Sequence, residues 1–239
     1  MTPMVKACIL AGGKGTRLGA LTKDIPKPLV AVCGKPVLDW QLDLLARHGI
    51  PHAIILTGHL GERIQEHVRG RKVPQVRCVR EEGPLGTAGC VRQVRDLLDA
   101  ETIVIYGDVL LNVELPAMLA AHQRHQADAT LLLHPTDHPY DSDLVLVDGP
   151  WVTGFAGKPE RGKPFVNLTN AGLYIINRRI VGCLPAQGDF CRDVFPEALA
   201  QGLRLHAYVT DEFIKDMGTP ERLRAVEAQW SARLQNASN

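Results

Sequence analysis

Apolar positions along the 239-residue chain fall into two rhythms. Short apolar runs with the length and β-branched content of buried strands occupy residues 5–10, 53–56, 76–79, 102–106, 129–133 and 205–209. Between them lie stretches of helical spacing. Pro36 opens one with Leu38, Leu42 and Leu45 on a single face that ends near Gly49; others span 61–68, from the 81–89 loop to about 98, 115–126 and 193–201. Thr219 followed by Pro220 is a cap and then a first-turn proline, which predicts a last amphipathic helix to about Trp230 and a frayed tail at 234–239. Residues 29–32 form a short apolar run, and 134–149 are rich in His, Pro, Asp and Ser. A hairpin of 144–147 and 152–155 turns at Asp148-Gly149, and a further strand runs from Asn170 into Ile175-Ile176. Strand alternating with helix predicts an α/β fold: a Rossmann-like, mostly parallel (mixed) sheet flanked by helices, with a small β-rich insert. The site of such a sheet lies beyond the carboxyl ends of its strands.

Composition narrows the class. A hydrophobic share of 45% with 22% charged residues is that of an ordinary globular protein, and the length suits a single domain spanning 1–239. Net charge is only +1 and aromatic residues make up 5%, which argues against a nucleic-acid partner and makes any anion site local. The six cysteines occur singly, with no C-x-x-C pair, and read as buried free thiols of a reducing compartment. The amino-terminal apolar run is too short for a signal peptide and no stretch approaches a membrane span, so no membrane partner and a cytoplasmic location are expected.

The first strand stops at Gly12-Gly13-Lys14-Gly15-Thr16-Arg17. Backbone without Cβ atoms can turn several amide donors toward phosphate oxygens, and Lys14, Arg17 and Lys27 offer positive charge to the same polyanionic ligand. Two familiar glycine loops are excluded. A Walker loop aligned on Gly13-Lys14 needs glycine at Cys8 and a hydroxyl residue at Gly15; the dinucleotide fingerprint started at Gly13 meets Leu18 where its third glycine belongs. Further on, Asp108 follows Gly107 directly past the 102–106 strand, a position suited to holding a hard cation, although aspartates there also serve as turn formers or caps.

Gly12 to Leu18 reads G-G-x-G-T-R-L and is followed by Pro26-Lys27-Pro28-Leu29, a composite that resembles the sugar-1-phosphate nucleotidyltransferases. Ala20 stands where that family usually has proline. Leu85-Gly86-Thr87-Ala88 matches the family's nucleotide-packing element, and Asp216-Met217-Gly218-Thr219-Pro220 its second metal-binding context. The family's Phe-x-Glu-Lys-Pro is Phe155-Ala156-Gly157-Lys158-Pro159 here, so Gly157 replaces the glutamate; Asn170-Ala171-Gly172-Leu173-Tyr174 matches its Asn-Ala-Gly-x-Tyr. Either Glu160 reaches round to hold the sugar hydroxyls, or the sugar is held differently.

The resemblance implies a fold of the nucleotide-diphospho-sugar transferase type, with 1–133 mainly the nucleotide-binding half and 134–239 mainly the sugar-binding half, the β-rich insert facing the sugar. It implies Leu10, Ala11, Gly12, Gly13, Lys14, Gly15, Thr16, Arg17, Glu81, Gly86, Thr87, Ala88 and Asp108 on the nucleotide. Gly107, Lys158, Asn170, Ala171 and Gly172 fall on the sugar phosphate; Arg17 and Lys27 are catalytic; Asp108 and Asp216 hold Mg2+. The expected reaction joins a nucleotidyl group from a nucleoside triphosphate to a sugar 1-phosphate and releases pyrophosphate. The short chain and altered Glu-Lys-Pro motif look most like the bacterial mannose and heptose 1-phosphate guanylyltransferases. GTP and D-glycero-D-manno-heptose 1-phosphate, serving capsule, lipopolysaccharide or S-layer glycans, are the first choice. Mannose 1-phosphate, or uridylyl or thymidylyl transfer to another sugar 1-phosphate, is the alternative. A non-catalytic relative that binds a nucleotide sugar as a signal is a rival from another class. Many family members self-associate, so a homo-oligomer is an open expectation.

Overall fold

The computed structural model describes residues 5–142 and 144–237. In chain order its strands are β1 (Lys6–Ala11), β2 (Ala31–Val32), β3 (Lys35–Pro36), β4 (His52–Thr57), β5 (Gln75–Arg80), β6 (Glu101–Tyr106), β7 (Val109–Asn112), β8 (Ala129–His134), β9 (Leu144–Asp148), β10 (Trp151–Ala156), β11 (Thr169–Asn177), β12 (Leu205–Val209) and β13 (Phe213–Asp216). The α-helices are α1 (Val37–Arg47), α2 (Gly61–His67), α3 (Gly86–Gln93), α4 (Leu115–His125), α5 (Arg178–Gly182), α6 (Phe195–Ala200) and α7 (Pro220–Ala237).

Nine strands form one sheet in the order β5-β4-β1-β6-β11-β8-β12-β10-β9. The amino-terminal strands β5, β4, β1 and β6 pair in parallel, as helical crossovers require. β11 then enters antiparallel between β6 and β8, which makes the sheet mixed. β1 is apolar at consecutive positions because both of its faces are covered. Ala7, Ile9, Ile55, Ile103 and Ile105 point to one side and pack with Leu38, Leu42, Leu45, Ile64 and Met118 of α1, α2 and α4. Cys8, Ile54, Leu56 and Val104 point to the other and meet Ala88, Val91, Ile180, Phe190 and Phe195. The β9/β10 hairpin is a continuation of this sheet, joined through Trp151↔His206 and Thr169↔Leu144.

Several expectations are corrected. The helix expected to reach about residue 98 ends at Gln93, and a 3-10 turn, Arg95–Leu97, follows. The helix expected over 193–201 is a π turn, Phe190–Val194, leading into α6, with Pro196 in the first turn of α6. α7 runs past Trp230 to Ala237, so most of the expected frayed tail is helical; residues 238–239 of it lie outside the described residues. Of the cysteines only Cys8 and Cys90 are buried; Cys33, Cys78, Cys183 and Cys191 are partly exposed. β7 and β13 pair as an antiparallel ribbon, where a strand was expected at neither position. Its Leu110 and Phe213, with Met217, pack under Val226 and Trp230 of α7, which explains why so short a ribbon is stable.

Candidate active site

β1 and β6 stop side by side at Ala11 and Tyr106, and the loops that follow them wall a cleft of about 780 Å³ at the carboxyl edge of the sheet. Of the residues expected at a site, 10–17, Lys27, Glu81, Gly86, Thr87, Gly107 and Asp108 line this cleft. Ala88, Lys158, Asn170, Ala171, Gly172 and Asp216 are not among its lining residues.

Lys14 and Arg17 are exposed on the loop after β1, whereas Lys27 is only 9% exposed. Lys27 donates to the Asp108 carboxylate, and the amide of Gly107 donates to the Leu10 carbonyl at 2.9 Å, which ties the ends of β1 and β6 together. A buried lysine held by one carboxylate is an aimed charge, lacking the freedom of a solvated side chain.

At the other end of the cleft the Glu81 carboxylate lies over Gly12. A Cβ added at Gly12 would stand 2.0 Å from Glu81 Oε1, so any side chain there would push the acid aside. Burial pushes the Glu81 carboxyl pKa up, which favours a ligand that brings hydrogen-bond donors to it. Thr87 donates to Asp189 Oδ1 at 3.0 Å and accepts from the Phe190 amide at 3.0 Å. The first amides of α3 are not free for a ligand: those of Ala88 and Gly89 both donate to the Gly188 carbonyl, at 2.9 and 3.4 Å. Ala88 itself is fully buried beneath the cleft wall.

The β7/β13 ribbon brings the two acidic residues of the sequence reading together. Asp216 is the cross-strand partner of Val109, and the Met217 amide donates to the Asp108 carbonyl at 3.1 Å. Asp216 accepts from Arg222 Nη1 at 3.0 and 3.2 Å and from the Gly218 amide at 2.9 Å, with His138 Nε2 at 3.8 Å. Burial pushes the Asp216 carboxyl pKa up, but Arg222, the Gly218 amide and His138 outweigh it and hold the group below its ordinary range. Among the described residues no three His, Cys, Asp or Glu side chains gather as a metal site. Two carboxylates, one in the turn before β7 and one at the end of β13, each already carrying a cation, are a donor set that fits a hard divalent ion sharing its remaining positions with ligand phosphates and water.

Lys158 and Gly157, from the motif expected to meet the sugar, are exposed on the bend after β10. Glu160, the candidate substitute for the missing glutamate, pairs with Lys163 at 2.7 Å with both side chains in solvent. Asn170 turns inward: its amide donates to Tyr174 and to Cys191 Sγ, and its Oδ1 accepts from the Gly172 amide at 3.0 Å. The Tyr174 hydroxyl in turn donates to that of Tyr106 at 3.2 Å, and burial pushes both phenol pKa values up. Asn170 and Gly172 thus shape the floor through Tyr106.

Sequence reasoning missed His59, Arg80, Tyr106 and Asp189, all of which line the cleft. The first three stand at or just after the carboxyl ends of β4, β5 and β6, and the rule that located the first loop also points to them. Asp189 follows α5, and only tertiary packing of its loop on α3 brings it to the site.

Fold and cleft together define a nucleotide-diphospho-sugar transferase fold with a cationic loop at its carboxyl edge. The chain belongs to the nucleotidyl transferase family, whose profile matches residues 6–232. It is 36% identical over 227 residues to the mannose-1-phosphate guanylyltransferase of Mycobacterium tuberculosis, covering 92% of this chain and 63% of that one. It is 28% identical over 252 residues to the UTP-glucose-1-phosphate uridylyltransferase of Synechocystis, covering 97% of this chain and 65% of that one. Among solved structures, HddC from Yersinia pseudotuberculosis superposes with a TM-score of 0.80 at 26% identity over 94% of this chain and 99% of that chain; a second structure of it is complexed with GMP-PN. The chain spans a little under two thirds of the length of these curated relatives, 63% and 65%. No helix among the described residues is long and apolar enough to cross a membrane.

Proposed function

We propose that this chain transfers GMP from GTP to a sugar 1-phosphate, D-glycero-D-manno-heptose 1-phosphate in the first instance, with release of pyrophosphate. The observation that carries the reading is the cleft lined by Lys14, Arg17, Lys27 and Asp108, with Lys27 paired to Asp108 and with Asp216 held beside it as the cross-strand partner of Val109. Both reactants are anions, and two unit charges 4 Å apart interact by roughly 4 kcal/mol at an effective dielectric near 20. Neutralising and aligning them supplies most of the rate, and little proton transfer is needed because the attacking phosphate is already ionised.

In this mechanism Lys14, Arg17 and the loop amides hold the β- and γ-phosphates and favour the departing pyrophosphate. Lys27 lies at the α-phosphate, where it meets the negative charge of the in-line displacement. Lys158 reaches the sugar phosphate from its exposed bend. Asp108 and Asp216 would hold Mg2+, which when bound supplies Lewis-acid charge between the two substrates. Guanine offers two adjacent donors, N1–H and N2–H, which suit the half-buried Glu81 carboxylate, and this favours GTP over UTP or TTP. The likeness to HddC along almost all of that chain, and the guanine nucleotide in its complex, agree with this choice. The relative from M. tuberculosis supports mannose 1-phosphate as the second reading.

Retention of Arg17, Lys27, Asp108 and Asp216 speaks against a non-catalytic nucleotide-sugar sensor. The test is a panel of the four nucleoside triphosphates against heptose, mannose and glucose 1-phosphates, scored by Mg2+-dependent pyrophosphate release. Turnover with GTP and the heptose substrate is expected to exceed the others; no release with any pair would refute the reading.

A further inference from the structure

Each of the two carboxylates assigned above to a divalent ion is already occupied by a protein cation. Lys27 takes Asp108, and Arg222, on the first turns of α7, reaches both oxygens of Asp216 at 3.0 and 3.2 Å. Building on the proposed function, we infer that Arg222 is a placeholder: it holds the Asp216 carboxylate and passes to triphosphate oxygens when the metal and the nucleotide enter together.

Gly218 shows why the guanidinium is poised to transfer. This residue lines the cleft, and a Cβ added to it would lie 2.7 Å from Asp216 Oδ1, 3.4 Å from Arg17 Nη2 and 3.4 Å from Arg222 Nη1. Two guanidinium groups from opposite ends of the chain therefore flank one glycine and one carboxylate at the rim of the phosphate cradle. A polyphosphate entering the cleft would meet both guanidinium groups. The Arg222 backbone is held in the first turn of α7, where its amide donates to Thr219 Oγ1 at 3.3 Å, so the handover is a movement of the side chain. A guanidinium forks onto phosphate as readily as onto carboxylate. A dication approaching without nucleotide meets both Lys27 and Arg222 and is repelled; with a triphosphate present, the same two cations have somewhere better to go.

The test is titration of the nucleotide-free protein with Mn2+, the free ion followed by electron paramagnetic resonance, for wild type, Arg222→Gln, Arg222→Lys and Asp216→Asn. Removing the competing charge in Arg222→Gln is expected to tighten Mn2+ binding about tenfold. The same variant should raise the nucleotide KM by a similar factor, because the phosphate partner is lost. Arg222→Lys keeps a point charge on Asp216 but cannot fork. It should leave Mn2+ binding as in wild type while still raising the nucleotide KM, a split that a merely structural role of the ion pair does not produce. Unchanged Mn2+ affinity in Arg222→Gln, in a chain where Asp216→Asn weakens Mn2+–nucleotide binding, overturns the placeholder and leaves the metal site standing. Mn2+ binding that is indifferent to Asp216→Asn, with and without nucleotide, overturns both.

Discussion

The Met217 amide donates to the Asp108 carbonyl at 3.1 Å, joining two segments more than a hundred residues apart in the chain. Through this bond and the ribbon beside it, an acid at the end of a core strand and an acid just before the last helix become neighbours. Because Leu110 and Phe213 of the ribbon, with Met217, pack under Val226 and Trp230, the placement of these two acids depends on the carboxyl-terminal helix as well as on the loop after β1.

Lys27→Met should lower kcat/KM by about 10²–10³-fold, the loss found when one aimed donor to a developing charge is removed. Most of it should appear in kcat, because the contact strengthens as pyrophosphate leaves. Steady-state pyrophosphate release checks this, and a fall in KM affinity alone would show Lys27 to be a simple binding residue.

Glu81→Gln should erode the preference for GTP over UTP by roughly 10–100-fold, from about 1.5–3 kcal/mol for a hydrogen bond to a charged group. The ratio of kcat/KM for the two nucleotides is the readout. A ratio unmoved by the substitution places base recognition elsewhere in the cleft.

Gly157→Glu restores the acid usual at that position in the family, and no atom lies within 4 Å of a Cβ built there. Thermal melting should be unchanged, while the KM for the sugar 1-phosphate falls for hexose substrates and the nucleotide KM stays put. Loss of stability would mean the exposed bend is more constrained than its surroundings imply.

His206 supplies a pH dependence remote from the site. Burial, followed by the neighbouring His125, His122 and Arg124, lowers its pKa from 6.5 to about 4, and its ring stacks on His125 at 4.3 Å with Trp151 edge-on. A depressed histidine is neutral in both states above pH 6.5; as pH falls from there toward about 4, the unfolded chain takes the proton first, so stability is lost across that window. The integrated effect is roughly 3 kcal/mol. Urea melts of wild type and His206→Gln between pH 7 and pH 4 should show a shallower decline in the variant; parallel declines would contradict this origin.

The strands and helices of the amino-terminal half were legible because each repeats one period, as in the continuous apolar run of β1 and the Leu38, Leu42, Leu45 stripe of α1. The ribbon was not, since Val109 to Asn112 and Phe213 to Asp216 are four residues each, too short for a period to show. The cationic loop could be read because it is contiguous. Asp189 could not, because Thr87 and Gly188 bring it to the cleft only after α3 and the α5–α6 loop have packed. The positions expected to meet the sugar were the least legible: Asn170 matched a motif yet points at Tyr174 and Cys191, and reaches the cleft only through Tyr106.

The most direct test of the shared-ion account is pyrophosphate release from GTP and heptose 1-phosphate by wild type, Asp108→Asn, Asp216→Asn and the double variant, with and without Mg2+. One ion held by both carboxylates predicts no turnover without Mg2+, a loss of at least about 10²-fold in each single variant, and little further loss in the double variant because both remove the same ion. Turnover that survives chelation, or an Asp216→Asn variant as active as wild type, would contradict it.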